Sequence, residues 1–415
     1  MKTAFMAQWG SGKPVIGFAG EYDALPGLSQ VAAPHRQPVK EGEPGHGCGH
    51  NLLGTGCLAA AAAVKSWIRE NGFRGSIRYY GCPAEEGGGA KTFMARAGVF
   101  ADLDAASNFH PDQLNFPSKG SNLGVAHIRF RFHGITAHAA GAPHLGRSAL
   151  DAVELMNVGV NYLREHLPGD VRIHYAITNG GEAPNIVPSL AEAYYFIRAH
   201  LPGQLQSVVE RVRKVANGAA MMTETRVEEV FESATSCLLN NHYLADLQYK
   251  AMQVIGPIVY SEDEIEFARG INHQYPPENI GNLFQNLRLP SSVKDRLREL
   301  EKAPLIGENF PTLDEGCVRT TSTDVGDLSW TAPLSLLRTA CAPTAAAIHS
   351  WGFAAASGMS IGHKGMLHAA RIMTLAAIEL FRNTEHLKAI RQEFEKEISK
   401  TPYQSPLPDF VQPPQ

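Results

Sequence analysis

Three short apolar segments that alternate with helical segments occupy residues 14–108, and this order constrains the fold more than any other feature. The apolar segments resemble buried strands and span residues 14–20, 76–82 and 103–108. A segment rich in Ala and Leu at 52–70 and a shorter one at 91–96 have the composition of helices. Strands and helices in alternation predict a parallel sheet that is covered by helices.

The most reactive side chains of this region lie in or beside the loops that follow the predicted strands. They are Cys48 and His50, the neighbouring Glu85 and Glu86, and His110. Active sites of open parallel sheets form in the loops at the carboxyl ends of the strands. We therefore expect these five side chains to meet at one edge of the sheet.

A different pattern begins near residue 123. Residues 127–133 alternate apolar and polar side chains with a period of two, as a half-exposed strand does. Further predicted elements are a helix at 148–167, strands at 172–177 and 191–199, a helix at 204–219 and a strand at 225–231. This β-α-β-β-α-β order predicts a ferredoxin-like α+β unit.

The position of that unit inside a larger α/β region predicts an inserted lid or dimerisation domain. The predicted division is a catalytic domain in two parts, residues 1–122 and 234–415, with the lid at 123–233 between them. Helices are expected at 238–255 and 364–382, whereas residues 256–316 have no assignable pattern. The Pro-rich C-terminal tail is expected to be loose.

Composition excludes several classes of protein. The 415 residues include 37 Lys and Arg and 41 Asp and Glu, a net charge of −4, which argues against binding to nucleic acid. A hydrophobic content of 44% with 19% charged residues indicates a globular chain, and no apolar run has the length of a membrane helix. Six cysteines are too few for a disulfide scaffold. A cytoplasmic protein with no nucleic-acid or membrane partner is expected.

The adjacent carboxylates Glu85 and Glu86 stand at the end of a predicted strand, before three glycines. Such a pair is most often part of a solvated turn. A phosphate-binding loop is disfavoured because Ala90 takes the glycine position before Lys91. Two carboxylates at a strand end can instead share a reaction. One is then a metal ligand, and the other accepts a proton from water and returns it to the leaving group.

Cys48 and His50 are separated by one glycine and could face one metal site. A thiolate with imidazoles suits zinc, whereas carboxylates with imidazoles also admit manganese. His110, after the third apolar run, is a further candidate. Each of these residues alone also fits a glycine-rich turn or a structural histidine, so the pattern by itself leaves the ligand set open.

Four motifs occur in the order found in the M20 metallopeptidases, and the chain resembles the amidohydrolase branch of that family over nearly its whole length. That branch includes hydrolases of hippurate, auxin conjugates and p-aminobenzoyl-glutamate. The motifs are Gly20-Glu-Tyr-Asp23-Ala-Leu-Pro26, Gly45-His-Gly-Cys48-Gly-His50-Asn-Leu-Leu-Gly, Pro83-Ala-Glu85-Glu86-Gly-Gly-Gly and Asn108-Phe-His110-Pro. The resemblance implies a hydrolase that uses one or two divalent metal ions, zinc or manganese.

The resemblance also implies a role for each matched side chain. Glu85 would act as general base and acid, and Asp23 would support a metal-binding side chain. Glu21 takes a position at which other branches have a ligating histidine, which is consistent with Cys48 serving instead. The implied metal ligands are Cys48, His50, Glu86 and His110.

A last metal ligand is expected nearer the C-terminus. His349, in Ile-His349-Ser-Trp, resembles the family's His-Ser-Pro element, although Trp351 replaces the proline. His363, at the start of a predicted helix, is the alternative. Of the two, we favour His349.

Three residues of the predicted lid also match the family. The resemblance implies that His138 reaches the site of a neighbouring chain, where it stabilises the oxyanion of the tetrahedral state. It further implies that Asn185 and Arg198 bind the carboxylate of the substrate. Taken singly, these residues fit an ordinary loop histidine, turn asparagine and strand arginine. Asp324 and Asp327 are expected to line or brace the cleft.

The implied substrate is an N-acyl amino acid. The resemblance favours p-aminobenzoyl-glutamate, cleaved to p-aminobenzoate and glutamate. Two alternatives stay open: a hippurate-like amidohydrolase or dipeptidase on the same scaffold, and a weakly active chain that depends on a partner. The chain would form a homodimer, or a heterodimer with a related chain. Family members usually have a helix and a strand before the point where this chain begins, so an N-terminal segment is expected to be missing.

Overall fold

The computed structural model describes residues 1–285 and 287–413; residue 286 and residues 414–415, which belong to the predicted segment 234–415, lie outside the described residues. The strands are β1 (Phe5–Ser11), β2 (Val15–Glu21), β3 (Gly75–Cys82), β4 (Ala105–Asp112), β5 (Phe116–Pro117), β6 (Ser121–Asn122), β7 (Gly124–His133), β8 (Arg172–Asn179), β9 (Leu190–Ala199), β10 (Arg226–Thr235), β11 (Val318–Arg319) and β12 (Leu334–Ala340). The helices are α1 (His50–Asn71), α2 (Ala90–Arg96), α3 (Ala149–Leu163), α4 (Pro202–Thr223), α5 (His242–Ile255), α6 (Glu262–Asn272), α7 (Glu278–Gln285), α8 (Ser291–Lys294), α9 (Leu297–Leu300), α10 (Val325–Thr331), α11 (Trp351–Ser357), α12 (Ser360–Arg382) and α13 (Glu385–Ile398). Within these residues, no helix combines the length and the apolar character needed to cross a membrane.

The larger sheet has six strands in the order β1-β3-β2-β4-β12-β5. The pairings among β3, β2, β4 and β12 are parallel, whereas β1 and β5 pair antiparallel at the two edges. All seven residues of β2 are buried, as expected for the centre of a sheet that is covered on both faces. The predicted α/β class with a mainly parallel sheet is confirmed.

Two hydrophobic clusters cover the faces of this sheet. One joins α1, α5 and α12 to the sheet and includes Phe18, Val64 and Met373. The other joins α2 and α10 to the opposite face and includes Ala19 and Tyr80. Neighbouring side chains of a strand point to opposite faces, which is why Phe18 and Ala19 enter different clusters.

The smaller sheet has four antiparallel strands in the order β10-β7-β9-β8, and α3 and α4 share its hydrophobic core. Along β7, buried and half-buried residues alternate with the predicted period of two. The chain order β7-α3-β8-β9-α4-β10 gives the second, ferredoxin-like unit. The sheet covers residues 124–235, and the domain boundaries 1–122, 123–233 and 234–415 stay predictions.

The segment without an assignable pattern, residues 256–316, contains the four helices α6 to α9. It builds a small hydrophobic cluster that includes Phe284, Leu300 and Phe310. The helix expected from residue 238 begins later, because the side chain of Asn241 accepts a hydrogen bond from Leu244 N–H and caps α5 there.

The C-terminal tail packs against the lid, so the expectation of a loose tail is wrong. Leu407 and Val411 are buried in the same hydrophobic core as α3 and α4. Arg96 of α2 donates hydrogen bonds to the carbonyl oxygens of Pro408 and Val411, at 3.0 and 2.7 Å. The tail is held in one position although it is rich in proline, because burial of these two apolar side chains against the lid stabilises it.

Candidate metal centre

The carboxyl edge of the parallel strands carries a cluster of reactive side chains. β2 ends at Glu21 and is followed by Asp23. The loop after β3 carries Glu85 and Glu86, and His110 lies on β4. Because β3, β2 and β4 are neighbours in the sheet, their ends bring these side chains to one place.

The amino end of α1 supplies Cys48 and His50. Gly49 between them caps the helix with φ of 76°, a left-handed conformation that glycine adopts without strain. A Cβ at this position would lie 3.0 Å from the Pro111 side chain, so the close approach to β4 also favours glycine. This turn lets both neighbours of Gly49 approach His110 on β4.

Three overlapping groups of side chains could hold a cation. They are Cys48, His50 and His110; Cys48, Glu86 and His349; and Glu21, His50 and Glu85, and the ligand atoms of each group lie within 4.8 Å of one another. Cys48 Sγ and His110 Nε2 are 3.4 Å apart. Because Cys48 and His50 each belong to two groups, the three form one continuous site.

His349, rather than His363, lies at this site. His349 Nε2 is 3.3 Å from Glu86 Oε1, and its backbone N–H donates to the Gly47 carbonyl at 2.8 Å. The φ of His349 is 68°, a left-handed value that is unusual outside glycine and is typical of functional positions. His363 is exposed on α12 and belongs to none of the three groups.

Asp23 orients two side chains of the cluster. One of its carboxylate oxygens is 3.0 Å from His50 Nδ1, and the other accepts a hydrogen bond from Glu86 N–H at 2.9 Å. Pairing at Nδ1 turns His50 Nε2 towards Glu21 and Glu85, at 3.2 and 3.9 Å. Burial opposes ionisation of Asp23, but the contact with His50 outweighs it and lowers the pKa of this carboxyl group.

Sequence patterns missed a buried lysine behind the acidic pair. Lys91 Nζ lies 2.9 Å from Glu21 Oε1 and 2.5 Å from Asp324 Oδ1, and the three side chains are at most 1% exposed. Asp324 also accepts a hydrogen bond from Lys91 N–H at 2.8 Å. The available signal was a lysine near the start of a largely apolar helix, where a buried charge needs a partner.

Asp327, three residues after Asp324, connects the lid, the catalytic part and the tail. Its carboxylate accepts hydrogen bonds from the hydroxyl groups of Thr92, Ser236 and Tyr403, at 2.6, 2.8 and 2.9 Å. It also accepts one from Ser236 N–H, directly after β10, at 3.0 Å. These contacts fix the junction through which the chain leaves the lid.

The electrostatics of the cluster favour a bound cation. In the part of the chain that the structure describes, His50 Nε2 and Glu86 Oε1 are buried without a hydrogen-bond partner. Burial and the nearby Glu21 carboxylate raise the pKa of Glu85 to about 8, and burial raises the pKa of the Cys48 thiol to about 12. Sulfur, imidazole and carboxylate donors fit a divalent ion, whose charge favours their deprotonated forms.

Two cavities open onto the cluster, and both are lined by Glu85, Glu86 and His349. The first has a volume of about 240 Å³ and is also lined by Arg198 of β9, whose Nη1 is 2.5 Å from Ser322 Oγ. Arg198 forms no ion pair with any carboxylate in residues 1–285 and 287–413, and burial lowers its pKa. A guanidinium in this state can bind a substrate carboxylate.

His138 and Asn185 lie together at an exposed tip of the lid. The Asn185 carbonyl accepts a hydrogen bond from Ala139 N–H at 3.0 Å, and His138 Nδ1 accepts one from Gly141 N–H at 3.0 Å. Neither residue lines either of the two cavities. The structure therefore brings Arg198 to the cluster of its own chain and leaves the other two lid residues outside it.

A parallel sheet with a buried set of sulfur, nitrogen and oxygen donors at its carboxyl edge, and a free carboxylate beside them, is typical of a metal-dependent hydrolase. The family is shown by a match of residues 17–288 to the model of peptidase family M20/M25/M40. The chain belongs to this family. It is a metallo-hydrolase that uses one or two divalent metal ions.

Three relatives illustrate the similarity. Over 99% of its length, the chain is 43% identical to one subunit of p-aminobenzoyl-glutamate hydrolase of Escherichia coli strain K12, and it covers 86% of that protein. Another subunit of the same hydrolase, from the same organism, is 29% identical over 61% of each chain. The mouse Xaa-Arg dipeptidase is 32% identical over 55% of this chain and 51% of its own.

Two solved structures have the same fold. A putative aminohydrolase from methicillin-resistant Staphylococcus aureus has a TM-score of 0.61 at 14% identity, over 91% of this chain and 84% of its own. A dinuclear metal-binding peptidase of the M20 family from Bacillus subtilis has a TM-score of 0.57 at 16% identity, over 91% and 85%. At such low identity these likenesses establish the fold alone.

Proposed function

We propose that this chain is an amidohydrolase that cleaves the amide bond of p-aminobenzoyl-glutamate and releases p-aminobenzoate and glutamate. The observation that carries the proposal is the cavity that Glu85 and Glu86 share with Arg198. An amide with a nearby carboxylate suits this cavity, because the guanidinium binds the carboxylate while the acidic pair meets the amide. The 43% identity to a chain of a p-aminobenzoyl-glutamate hydrolase supports this acyl group.

Glu85 is proposed as the general base and acid. Its carboxyl group has a pKa raised by burial and by Glu21, so it can accept a proton from water and return it to the leaving amine near neutral pH. The divalent ions, zinc or manganese, would lower the pKa of water and polarise the amide carbonyl when bound. The proposed ligands are Cys48, His50, Glu86, His110 and His349.

The lid residues are proposed to act from two chains. Arg198 would bind the substrate carboxylate in the cavity of its own chain. His138 and Asn185 would act in the site of a neighbouring chain, His138 on the oxyanion and Asn185 on the carboxylate. Their exposure, away from both cavities of their own chain, supports this division.

The partner is proposed to be a second copy of the chain or a related chain, which gives a homodimer or a heterodimer. Ile135 and Ile186, next to the lid tip, are 55% and 43% exposed. β8 is an edge strand of the lid sheet and carries the exposed Ile177. Exposed apolar side chains beside an open sheet edge are typical of a protein interface.

A cytoplasmic location is proposed from the cysteines. All six are free thiols in the structure. Free thiols are usual in a reducing compartment, where disulfides are rare.

The proposed function is tested with the purified chain after removal of metal by a chelator and reloading with zinc or manganese. The substrate panel contains p-aminobenzoyl-glutamate, hippurate, folate and dipeptides. We expect hydrolysis only after reloading, with kcat/KM for p-aminobenzoyl-glutamate at least roughly tenfold above every other substrate. A higher value for hippurate or a dipeptide would favour the alternative amidohydrolase or dipeptidase. Activity that requires an added related chain would favour a partner-dependent protein.

A further inference from the structure

The second cavity at the metal cluster contains two arginines that the proposed reaction does not use. Its volume is about 260 Å³, and Arg319 and Arg338 line it together with Cys48 and His110. Because this cavity and the first are both lined by Glu85, a substrate at the acidic pair can reach into both.

Arg338 projects from β12, where its Cα is paired with that of His110 on β4. Its Nη1 is 2.8 Å from Asp112 Oδ2, and its side chain is 11% exposed. Its Nε is buried and has no hydrogen-bond partner among the described residues. Asp112 therefore pairs with the Nη1 group of Arg338, whereas the Nε group stays unpaired inside the protein.

Arg319, at the end of β11, is paired less well. Its Nε is buried, has no hydrogen-bond partner in the described chain, and lies 4.0 Å from Asp314 Oδ2. That carboxylate already accepts hydrogen bonds from the Ser118 hydroxyl group and from the N–H groups of Lys119 and Gly120. The hydrogen bonds of Asp314 thus go to the loop before β6, and the Nε–H group of Arg319 is left to donate to another acceptor.

The electrostatic environment of Arg319 and Arg338 also favours an additional anion in this cavity. Burial and the positive charge of Arg338 lower the pKa of Arg319 to about 10, and the carboxylates of Asp112 and Asp314 oppose this shift only in part. Two guanidinium groups in one cavity repel each other, and a buried cation that is incompletely paired costs free energy. An anion placed between the two arginines would relieve both penalties.

We propose that this cavity binds the side-chain carboxylate of the amino-acid half of the substrate, so that the chain selects N-acyl derivatives of acidic amino acids. The inference rests on the proposed function and narrows its substrate class. Arg198 takes the carboxylate next to the scissile amide, and Arg319 with Arg338 takes the second carboxylate. The planar donors of guanidinium match a carboxylate, whereas a neutral side chain would leave them unpaired.

The test compares p-aminobenzoyl-glutamate with p-aminobenzoyl-glutamine, which differ only in the charge and hydrogen bonding of the side chain. In Arg319→Gln, kcat/KM for the glutamate compound should fall roughly 30-fold and that for the glutamine compound less than about threefold. Arg78→Gln, at an arginine paired with Asp102 away from the cavity, is the matched control and should change neither value.

The ratio of the two kcat/KM values decides the outcome. Its collapse in Arg319→Gln supports the carboxylate subsite. Equal losses on both substrates, or an unchanged ratio, overturn it. Should Arg319→Gln fail to fold, Arg319→Lys takes its place, because it keeps the charge and loses only the planar donors. In that variant too, kcat/KM must fall more for the glutamate compound than for the glutamine compound.

A binding measurement separates this inference from the proposed function. Glutarate, a dicarboxylate, and butyrate, a monocarboxylate, are titrated into the metal-loaded chain by calorimetry. We expect the wild type to bind glutarate at least roughly tenfold more tightly than butyrate, and Arg319→Gln to lose that difference. If neither aminobenzoyl compound is hydrolysed but the difference in binding is present, the proposed function fails and the subsite stands. If glutarate binds the wild type and Arg319→Gln equally, the subsite fails.

Discussion

The carboxyl edge of the large sheet and the tip of the lid carry residues that we assign to one reaction, yet the two regions are built in opposite ways. At the sheet edge, Glu21, His50 and Lys91 are almost fully buried and contact one another through charged groups. At the lid tip, His138 and Asn185 are exposed. The Asn185 carbonyl accepts a hydrogen bond from the backbone of a neighbouring loop, and the His138 side chain accepts one from the backbone of its own loop.

The difference shows which part of the site a single chain can build. A charge in the protein interior must be paired, so burial leaves Glu21, His50 and Lys91 few arrangements and defines their geometry. Exposed side chains are under no such constraint. In our proposal a second chain gives the lid tip its defined position, and four experiments can break or sharpen this contrast.

The largest effect is expected from Glu85→Gln at the sheet edge. Because an amide cannot accept the proton, kcat on p-aminobenzoyl-glutamate should fall roughly 10³- to 10⁴-fold. Bound metal, measured by elemental analysis, should stay at the wild-type stoichiometry. Glu70→Gln, at an exposed glutamate of α1, is the control with a wild-type rate. Retained turnover would remove Glu85 from its proposed role.

The second effect contrasts a fully buried ion pair with a partly exposed one. Lys91→Met leaves Glu21 and Asp324 without their partner and should lower the free energy of unfolding by about 3–5 kcal/mol. Arg131→Gln removes a lid ion pair with Glu192 whose arginine is 40% exposed, and should cost less than about 1 kcal/mol. Urea unfolding measures both. Equal losses would mean that the two regions are stabilised alike.

The third effect tests whether the lid tip acts in another chain. His138→Ala should lower kcat roughly 100-fold, because a hydrogen-bond donor to the oxyanion is lost. Mixing this variant with Glu85→Gln should restore roughly a quarter of the wild-type activity, since half of the dimers would be mixed and each would hold one intact site. His144→Ala, at an exposed histidine nearby, is the control. No recovery after demonstrated exchange of chains would contradict a shared site.

The smallest effect concerns the C-terminal tail, which packs against the core of the lid and against α2. Leu407→Ala removes a side chain that is 3% exposed in the core of the lid and should lower the free energy of unfolding by about 2–3 kcal/mol. Gln412→Ala, at an exposed position of the same tail, should change it by less than about 0.5 kcal/mol. Urea unfolding measures both changes. If the tail contributes nothing to stability, the two variants should have the same free energy of unfolding.

Periodicity predicted the elements that have a strong hydrophobic pattern. The segment 52–70 becomes α1, which ends at Asn71 with Gly72 in a left-handed conformation, and the alternation at 127–133 becomes part of β7. α13 was missed because only Ile390 and Phe394 of its fourteen residues are buried, so its pattern is mostly polar. The packed tail was missed because two apolar residues among prolines give no periodic signal.

The candidate site was predictable in part. The order of the motifs predicts that Cys48, His50, Glu86 and His110 belong to one site, and the structure gathers them. Which of the two histidines, His349 or His363, lies at the cluster depends on how the chain folds after β12. The sequence Ile-His-Ser-Trp only resembles the family element and does not decide between them. Backbone contact between His349 N–H and Gly47 places it at the cluster, and no local pattern contains that contact.

By itself the sequence determined which side chains were available, in what order, and on which kind of element each would stand, because periodicity and motifs are local properties of a chain. Only the tertiary structure decided that Lys91 is buried between Glu21 and Asp324, and that two arginines share a cavity with Cys48. Lys91 and Asp324 are 233 residues apart along the chain. Burial arises from packing between such distant segments, and it is burial that turns an ordinary charge into one that must find a partner.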